Sequence, residues 1–189
     1  FTHILGFLVF LRVTGLSFRH LFPQAPFRLV LLVLLPLIAI LGIVSAGALS
    51  EMSLNFFEQR GFHAIVEQEA AHQQILIPIL VHENPAQLFL SIFTLAVLPA
   101  IGEEFIYRGI LQSRLMASTH NLHFSVWISA FIFAAMHLQP VNLLAIAFLG
   151  AVLGYIYAYT KNIWHGVVLH FLVNALQVLQ VYFWPDQLT

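Results

Sequence analysis

The chain has 189 residues, of which 60% are hydrophobic and 8% charged, and a formal net charge of −1. Soluble domains carry about a quarter charged residues, so this composition excludes an ordinary soluble domain and points to a polytopic membrane protein. The balanced charge excludes an electrostatic nucleic-acid binder, and the absence of cysteine excludes disulfides, thiolate metal sites and a cysteine nucleophile.

Residues 1–11 (FTHILGFLVFL) are apolar but short. The chain begins inside this stretch at Phe1, which reads as the tail of a spanning helix in a fragment of a longer protein. Residues 12–28 hold Arg12, Arg19, Arg28 and two prolines and read as a basic loop. Residues 29–49 are 21 residues without a charge, enough for a helix to cross a bilayer core, with a kink expected at Pro36. Residues 50–85 change character, with Glu51, Glu58, Glu67, Glu69 and Glu83 among many Gln and His. This polar segment predicts a surface helix over 53–75, bounded by Pro78 and Pro85, with its glutamates on a solvated face.

The apolar run 87–101 leads directly into Glu103 and Glu104, and the helical pattern continues to residue 118. Three more apolar segments follow, 122–138, 141–160 and 163–184, separated by the breaks STHN, LQPVN and TKN. The expected fold is all-α, a polytopic transmembrane helix bundle with a four-helix catalytic core. Residues 1–85 form N-terminal helices and a polar loop, and 86–184 form the core. Lys and Arg bias orients the bundle: the 12–28 loop carries three arginines and the 50–85 segment one. Residues 12–28 are therefore read as cytoplasmic, with Arg108, Arg114 and Lys161 on the same side.

Two adjacent glutamates at the end of a membrane segment need an explanation, because intramembrane charges are costly and usually functional. On a helix Glu104 and Arg108 stand at i and i+4 and can pair. Glu103 is rotated by about 100° and faces elsewhere. Two other polar sets lie in apolar segments: His137, one turn after Phe133, and His170 with Asn174 at i, i+4. Measured from the cytoplasmic helix ends at about 1.5 Å per residue, Glu103 and His137 lie roughly 20 Å deep, and His170 and Asn174 about 10 and 17 Å. These depths predict one shared cavity, open toward the cytoplasm.

Neither a G-x-S-x-G nucleophile elbow nor an H-E-x-x-H zinc motif is present. A carboxylate beside an imidazole can deprotonate a water, and His and Asn can donate to a developing oxyanion. That set fits direct attack of water on an amide. It also fits zinc, since two His and one Glu are a catalytic zinc set, and Glu103, His137 and His170 are the metal alternative. We expect no cofactor: a metal-bound His hands its other ring N–H to a carboxylate or carbonyl, and Glu104 is committed to Arg108.

The stretches EEFIYR (103–108), FAAMH (133–137) and HFLVN (170–174) resemble the E-E-x-x-x-R, F-x-x-x-H and H-x-x-x-N motifs of the CPBP family. That family, also called Abi, groups CAAX prenyl proteases with bacteriocin-processing and bacteriocin-immunity proteins. The resemblance covers about residues 86–180. It implies Glu103 as the base that activates water with His137 assisting, Glu104 and Arg108 as the supporting pair, and His170 with Asn174 as the oxyanion hole. It further implies an intramembrane endopeptidase acting on a membrane-associated peptide or protein, in contact with lipid and not nucleic acid, in the plasma (bacterial inner) membrane. The rival is a catalytically silent immunity or scaffold protein of the same family.

Among the remaining features, Gly150 and Gly154 in FLGAVLGYIYAY predict close helix packing. Tyr155, Tyr157, Tyr159 and Trp164 predict an interfacial aromatic belt. His123 and His165 are expected to be solvated at span ends.

Overall fold

The computed structural model describes residues 25–80 and 84–184, with isolated positions 9, 12, 13 and 15. The expected segment 1–11, most of the 12–28 loop, and Glu83 lie outside the described residues. Among the described residues there are helices and turns and no strand. Over residues 25–184 six helices follow in order: α1 (Leu31–Gln59), α2 (His63–Leu80), α3 (Pro85–Thr119), α4 (Leu122–Ala135), α5 (Leu143–Thr160) and α6 (Ile163–Phe183). Four of them, α1, α3, α5 and α6, are long and apolar enough to cross a membrane, making this an integral membrane helical bundle.

Three elements differ from the sequence expectation. The helix over 29–49 does not stop where polarity rises. It runs to Gln59, 29 residues in all, or about 44 Å against a hydrocarbon core of about 30 Å. No Gly or Pro interrupts SEMSLNFFEQ, so the helix projects beyond the apolar layer until the turn at Arg60 and Gly61. The polar segment then forms α2 as a second helix, which passes through Pro78 rather than ending before it. The third difference is α4, which is a helix of 14 residues instead of the expected 17-residue span. At about 21 Å it is too short to cross alone, and a turn over 136–138 with Leu138 at φ 56° ends it.

Helix α3 is the most irregular. It contains two π-helical stretches, Ile92–Val97 and Phe105–Gln112, on either side of an α-helical Leu98–Glu104. Such turns are rare and concentrate at functional sites. Neighbouring side chains take backbone carbonyls within them: Asn174 donates to Leu95 O (3.2 Å), Ser129 to Tyr107 O (2.9 Å) and Ser113 to Arg108 O (3.0 Å). The two glutamates thus sit at the end of a regular segment clamped between two distorted ones.

Apolar packing supports this arrangement. Leu35 and Ala39 of α1 pack with Leu153 of α5 and Leu169 and Val173 of α6. Val126 and Ala130 of α4 pack with Ala151 of α5. The G-x-x-x-G pair of α5 gives the predicted close approach, and its backbone is used directly. Gly150 O accepts from Arg108 (2.8 Å) and Gly154 O from Gln112 (2.9 Å). A Cβ on Gly150 would lie 3.1 Å from the Phe133 ring and 3.3 Å from the Ala130 backbone. The aromatic belt holds for Tyr159 and Trp164, which are exposed, but Tyr157 is buried and bonded to Ser113 (3.3 Å).

The glutamates of 50–85 are not all solvated. Glu69 of α2 is buried, accepts from Val141 N at 2.8 Å and binds the Asn142 side chain. Ser50 of α1 donates to the same Asn142 (2.7 Å). These contacts join α1, α2 and the loop before α5. His165, expected in solvent, is fully buried; it stacks on Phe27 at 4.4 Å and accepts from Arg28 N. His123 is exposed as expected and pairs with Tyr155 (2.7 Å).

Overpacking a tight core site costs about 1–3 kcal/mol. Gly150→Leu is therefore expected to lower unfolding stability in detergent by at least that amount. Gly47→Ala, where the added Cβ meets nothing within 4 Å, is expected to leave the melting temperature unchanged; equal loss in both variants would refute the packing role of Gly150.

Candidate active site

Glu103, His137, His170 and Asn174 line one cavity of about 570 Å³. The four residues that depth predicts at a common level therefore share one cavity, although the way they meet differs from the expectation.

The Glu104–Arg108 pair forms as its spacing predicts. Arg108 Nη1 lies 2.9 Å from Glu104 Oε1, and both side chains are almost completely buried, at 1% and 0% exposure. Arg108 also donates to Gly150 O and lies over the Phe133 ring at 4.8 Å. It lies inside the bundle, not at its surface. Burying an unpaired charge is prohibitive, so these partners are what let α3 carry a cation here.

The structure adds a contact that helix periodicity within one segment does not reveal. Glu104 Oε1 also meets His170 Nδ1 at 3.0 Å. An ionised carboxylate only accepts, so Nδ1 carries the proton. The other ring nitrogen, Nε2, then points at Glu103, 3.8 Å from its Oε2. His170 is thus held by one glutamate and presented to the other. The helix approach that permits this depends on Gly166: a Cβ there would lie 2.8 Å from Glu104 Oε2.

This contact corrects the argument used against zinc. Glu104 is not committed to Arg108 alone; it supports a histidine as a metal-site carboxylate would. The alternative metal set is not assembled, however. Among the described residues no three or more His, Cys, Asp or Glu side chains are gathered as a metal site.

His137 lies in the turn just past α4 instead of on the helix. Its Nδ1 is 2.9 Å from Phe133 O, one of the carbonyls a helix end leaves open. A carbonyl only accepts, so Nδ1 is the donor and Nε2 keeps its lone pair. Phe133 connects the parts: its ring packs edge-on against Tyr107 (5.1 Å), His137 (4.7 Å) and His170 (5.9 Å). Asn174 uses one amide N–H on Leu95 O and retains a second donor.

The cavity does not open toward the end that carries Arg28, Arg114 and Lys161, as expected. On that side Phe105, Tyr157, Ile163 and Val167 pack together and close the bundle. The walls instead run from Glu103 and His170 toward Ser50, Gln139, Asn142, Gln177 and Gln180 at the opposite end.

Removing one partner of a buried ion pair costs about 3–5 kcal/mol. Glu104→Gln is expected to lower thermal stability by that order, while Glu103→Gln, which leaves the Arg108 pair intact, is expected to fold with near-normal stability. Chemical denaturation of the two variants side by side tests this, and equal stabilities would contradict the assignment.

Comparison with known proteins fits this geometry. Residues 85–176 match the family model described as "Type II CAAX prenyl endopeptidase Rce1-like". Two Bacillus subtilis (strain 168) proteins are similar. "Uncharacterized protein YpbD" is 31% identical over 99 residues, covering 49% of this chain and 46% of that protein. "Putative membrane peptidase YdiL" is 32% identical over 90 residues, covering 48% of this chain and 36% of that protein. The matched regions thus span less than half the length of these relatives. No solved structure matches. Residues 85–176, which hold all three motifs, are thus similar to the Rce1-like type II CAAX prenyl endopeptidases, consistent with the CPBP family.

Proposed function

We propose that this protein is an intramembrane endopeptidase of the CAAX prenyl protease type that hydrolyses a peptide bond with water activated by Glu103. The observation that carries the reading is the position of His170, fixed by Glu104 through Nδ1 with Nε2 3.8 Å from Glu103 Oε2. That distance is too long for a direct hydrogen bond. The proposed nucleophile is a water held between this carboxylate and the His170 ring.

In the proposed reaction Glu103 takes a proton from this water, and the hydroxide oxygen forms a bond to the scissile carbonyl carbon. His137 Nε2 orients the water through its lone pair. The carbonyl oxygen becomes an oxyanion, stabilised by an Asn174 N–H and by His170, which in this step carries protons on both nitrogens, Nδ1 toward Glu104 and Nε2 toward the oxyanion. Collapse of the tetrahedral intermediate breaks the C–N bond, and Glu103 returns its proton to the leaving amine. No covalent intermediate forms, and the reaction as written uses no metal. The apolar wall of Ile38, Ile43, Leu149, Val152 and Val173 suits a peptide with apolar residues, or a lipid group, beside the cleaved bond.

The test is peptidase activity of the purified full-length protein on membrane-peptide substrates. Glu103→Gln is expected to abolish cleavage. Loss of one oxyanion donor typically costs about 10²–10³ in rate, so Asn174→Ala is expected to fall in that range. Its folding loss should be limited to about 1 kcal/mol for the Leu95 hydrogen bond. Full activity of Glu103→Gln would overturn the mechanism. Stoichiometric zinc with chelator-sensitive, zinc-restored activity would overturn its metal-free form. A folded wild-type chain that cleaves nothing while both variants keep its biological effect would favour the silent immunity or scaffold reading.

A further inference from the structure

The two ends of the bundle differ in charge. At one end Arg28 precedes α1, Arg114 lies in the last turns of α3, and Lys161 forms the α5–α6 turn. The Lys161 carbonyl accepts from Ala25 N at 3.2 Å, and Asn162 donates to Ala25 O at 2.7 Å. These bonds hold the segment before α1 against the α5–α6 turn. Arg12 and Arg19 stand upstream of that segment in the sequence. The other end carries Arg60 beside the exposed Glu51, Glu58 and Glu67. The remaining cation, Arg108, is buried against Glu104 and belongs to neither surface.

Lys and Arg close to span ends set the orientation of a membrane protein, while Asp and Glu contribute little. The end with Arg28, Arg114 and Lys161 therefore faces the cytoplasm and the Arg60 end faces away. The position of the cavity is an independent observation. Phe105, Tyr157, Ile163 and Val167 close it toward the cytoplasmic end, where Trp164 packs edge-on to Phe105 at 5.9 Å. Its walls climb the other way, through Asn174, Gln177 and Gln180 on α6 and Gly47 and Ser50 on α1.

We infer that the site opens on the non-cytoplasmic side of the membrane, and that its substrates are peptide segments presented there. Such segments belong to exported chains or to outward-facing parts of membrane proteins, not to C-termini in the cytoplasm. The side assignment stands on charge and cavity geometry; the substrate clause rests on the peptidase reading above.

These 189 residues contain no cysteine, so an introduced one is a single label site within them. In the full-length protein, freed of any cysteine elsewhere, Gln177→Cys and Gln180→Cys report the cavity mouth, and Ser118→Cys reports the opposite end. The probe is a membrane-impermeant maleimide added to intact cells and then to permeabilised cells. We expect both mouth positions to react fully in intact cells, and Ser118→Cys to react only after permeabilisation. Reaction of the mouth positions only after permeabilisation, with Ser118→Cys labelled in intact cells, overturns the inference. Labelling needs no turnover, and Glu103→Gln should give the same pattern, so failure of the peptidase reading is read separately. For the substrate clause, peptide is added to sealed vesicles of either orientation. Cleavage in right-side-out vesicles supports it, and cleavage confined to inside-out vesicles overturns it.

Discussion

The buried charge of Arg108 is the constraint on which the site depends. A guanidinium at 1% exposure inside an apolar bundle has no water to solvate it. Its partners must come from the protein. They come from three places: Glu104 one turn earlier, the Gly150 carbonyl on α5, and the face of Phe133 on α4. The last two fix α5 and α4 against α3. The same Glu104 oxygen then meets His170, which adds α6. One ion pair therefore draws the four core helices together, and the residues proposed for chemistry stand on its periphery. Its energetic value lies less in net stabilisation than in the penalty for any arrangement that leaves a charge unpaired.

Backbone irregularity completes what the ion pair begins. The π stretches around Leu98–Glu104 place the Leu95, Tyr107 and Arg108 carbonyls within reach of side chains. The Ser129 and Asn174 contacts tie α3 to α4 and α6. The regular segment between them keeps Glu103 and Glu104 on different faces, one toward the cavity and one toward the buried pair. Glycines on the facing helices admit this: Gly150 brings its carbonyl to Arg108, and Gly166 leaves room for Glu104.

The family match begins at residue 85, yet the cavity is not complete without the helix before it. Ile38, Ile43, Ala46, Gly47 and Ser50 of α1 form part of its wall. Glu69 of α2 binds the Val141–Asn142 backbone and side chain, four residues past His137. The core thus supplies the groups proposed for chemistry, while the preceding helices complete the cavity those groups line.

Much of this was legible in the sequence because the bilayer imposes local rules. A charge deficit and uninterrupted apolar runs dictate spanning helices, and an i, i+4 spacing dictates the Glu104–Arg108 pair. Helix depth alone brought Glu103, His137, His170 and Asn174 to a common level. What stayed hidden was set by contacts between helices. Sequence spacing within α6 could not reveal that His170 turns its Nδ1 to Glu104, because that contact joins residues 66 apart. The burial of Glu69 and His165 has the same origin: partners on other elements override local polarity. The direction in which the cavity opens was also decided only in three dimensions. A common depth does not say which end of the bundle is open, and it is the packing of Phe105, Tyr157, Ile163 and Val167 that closes one of them.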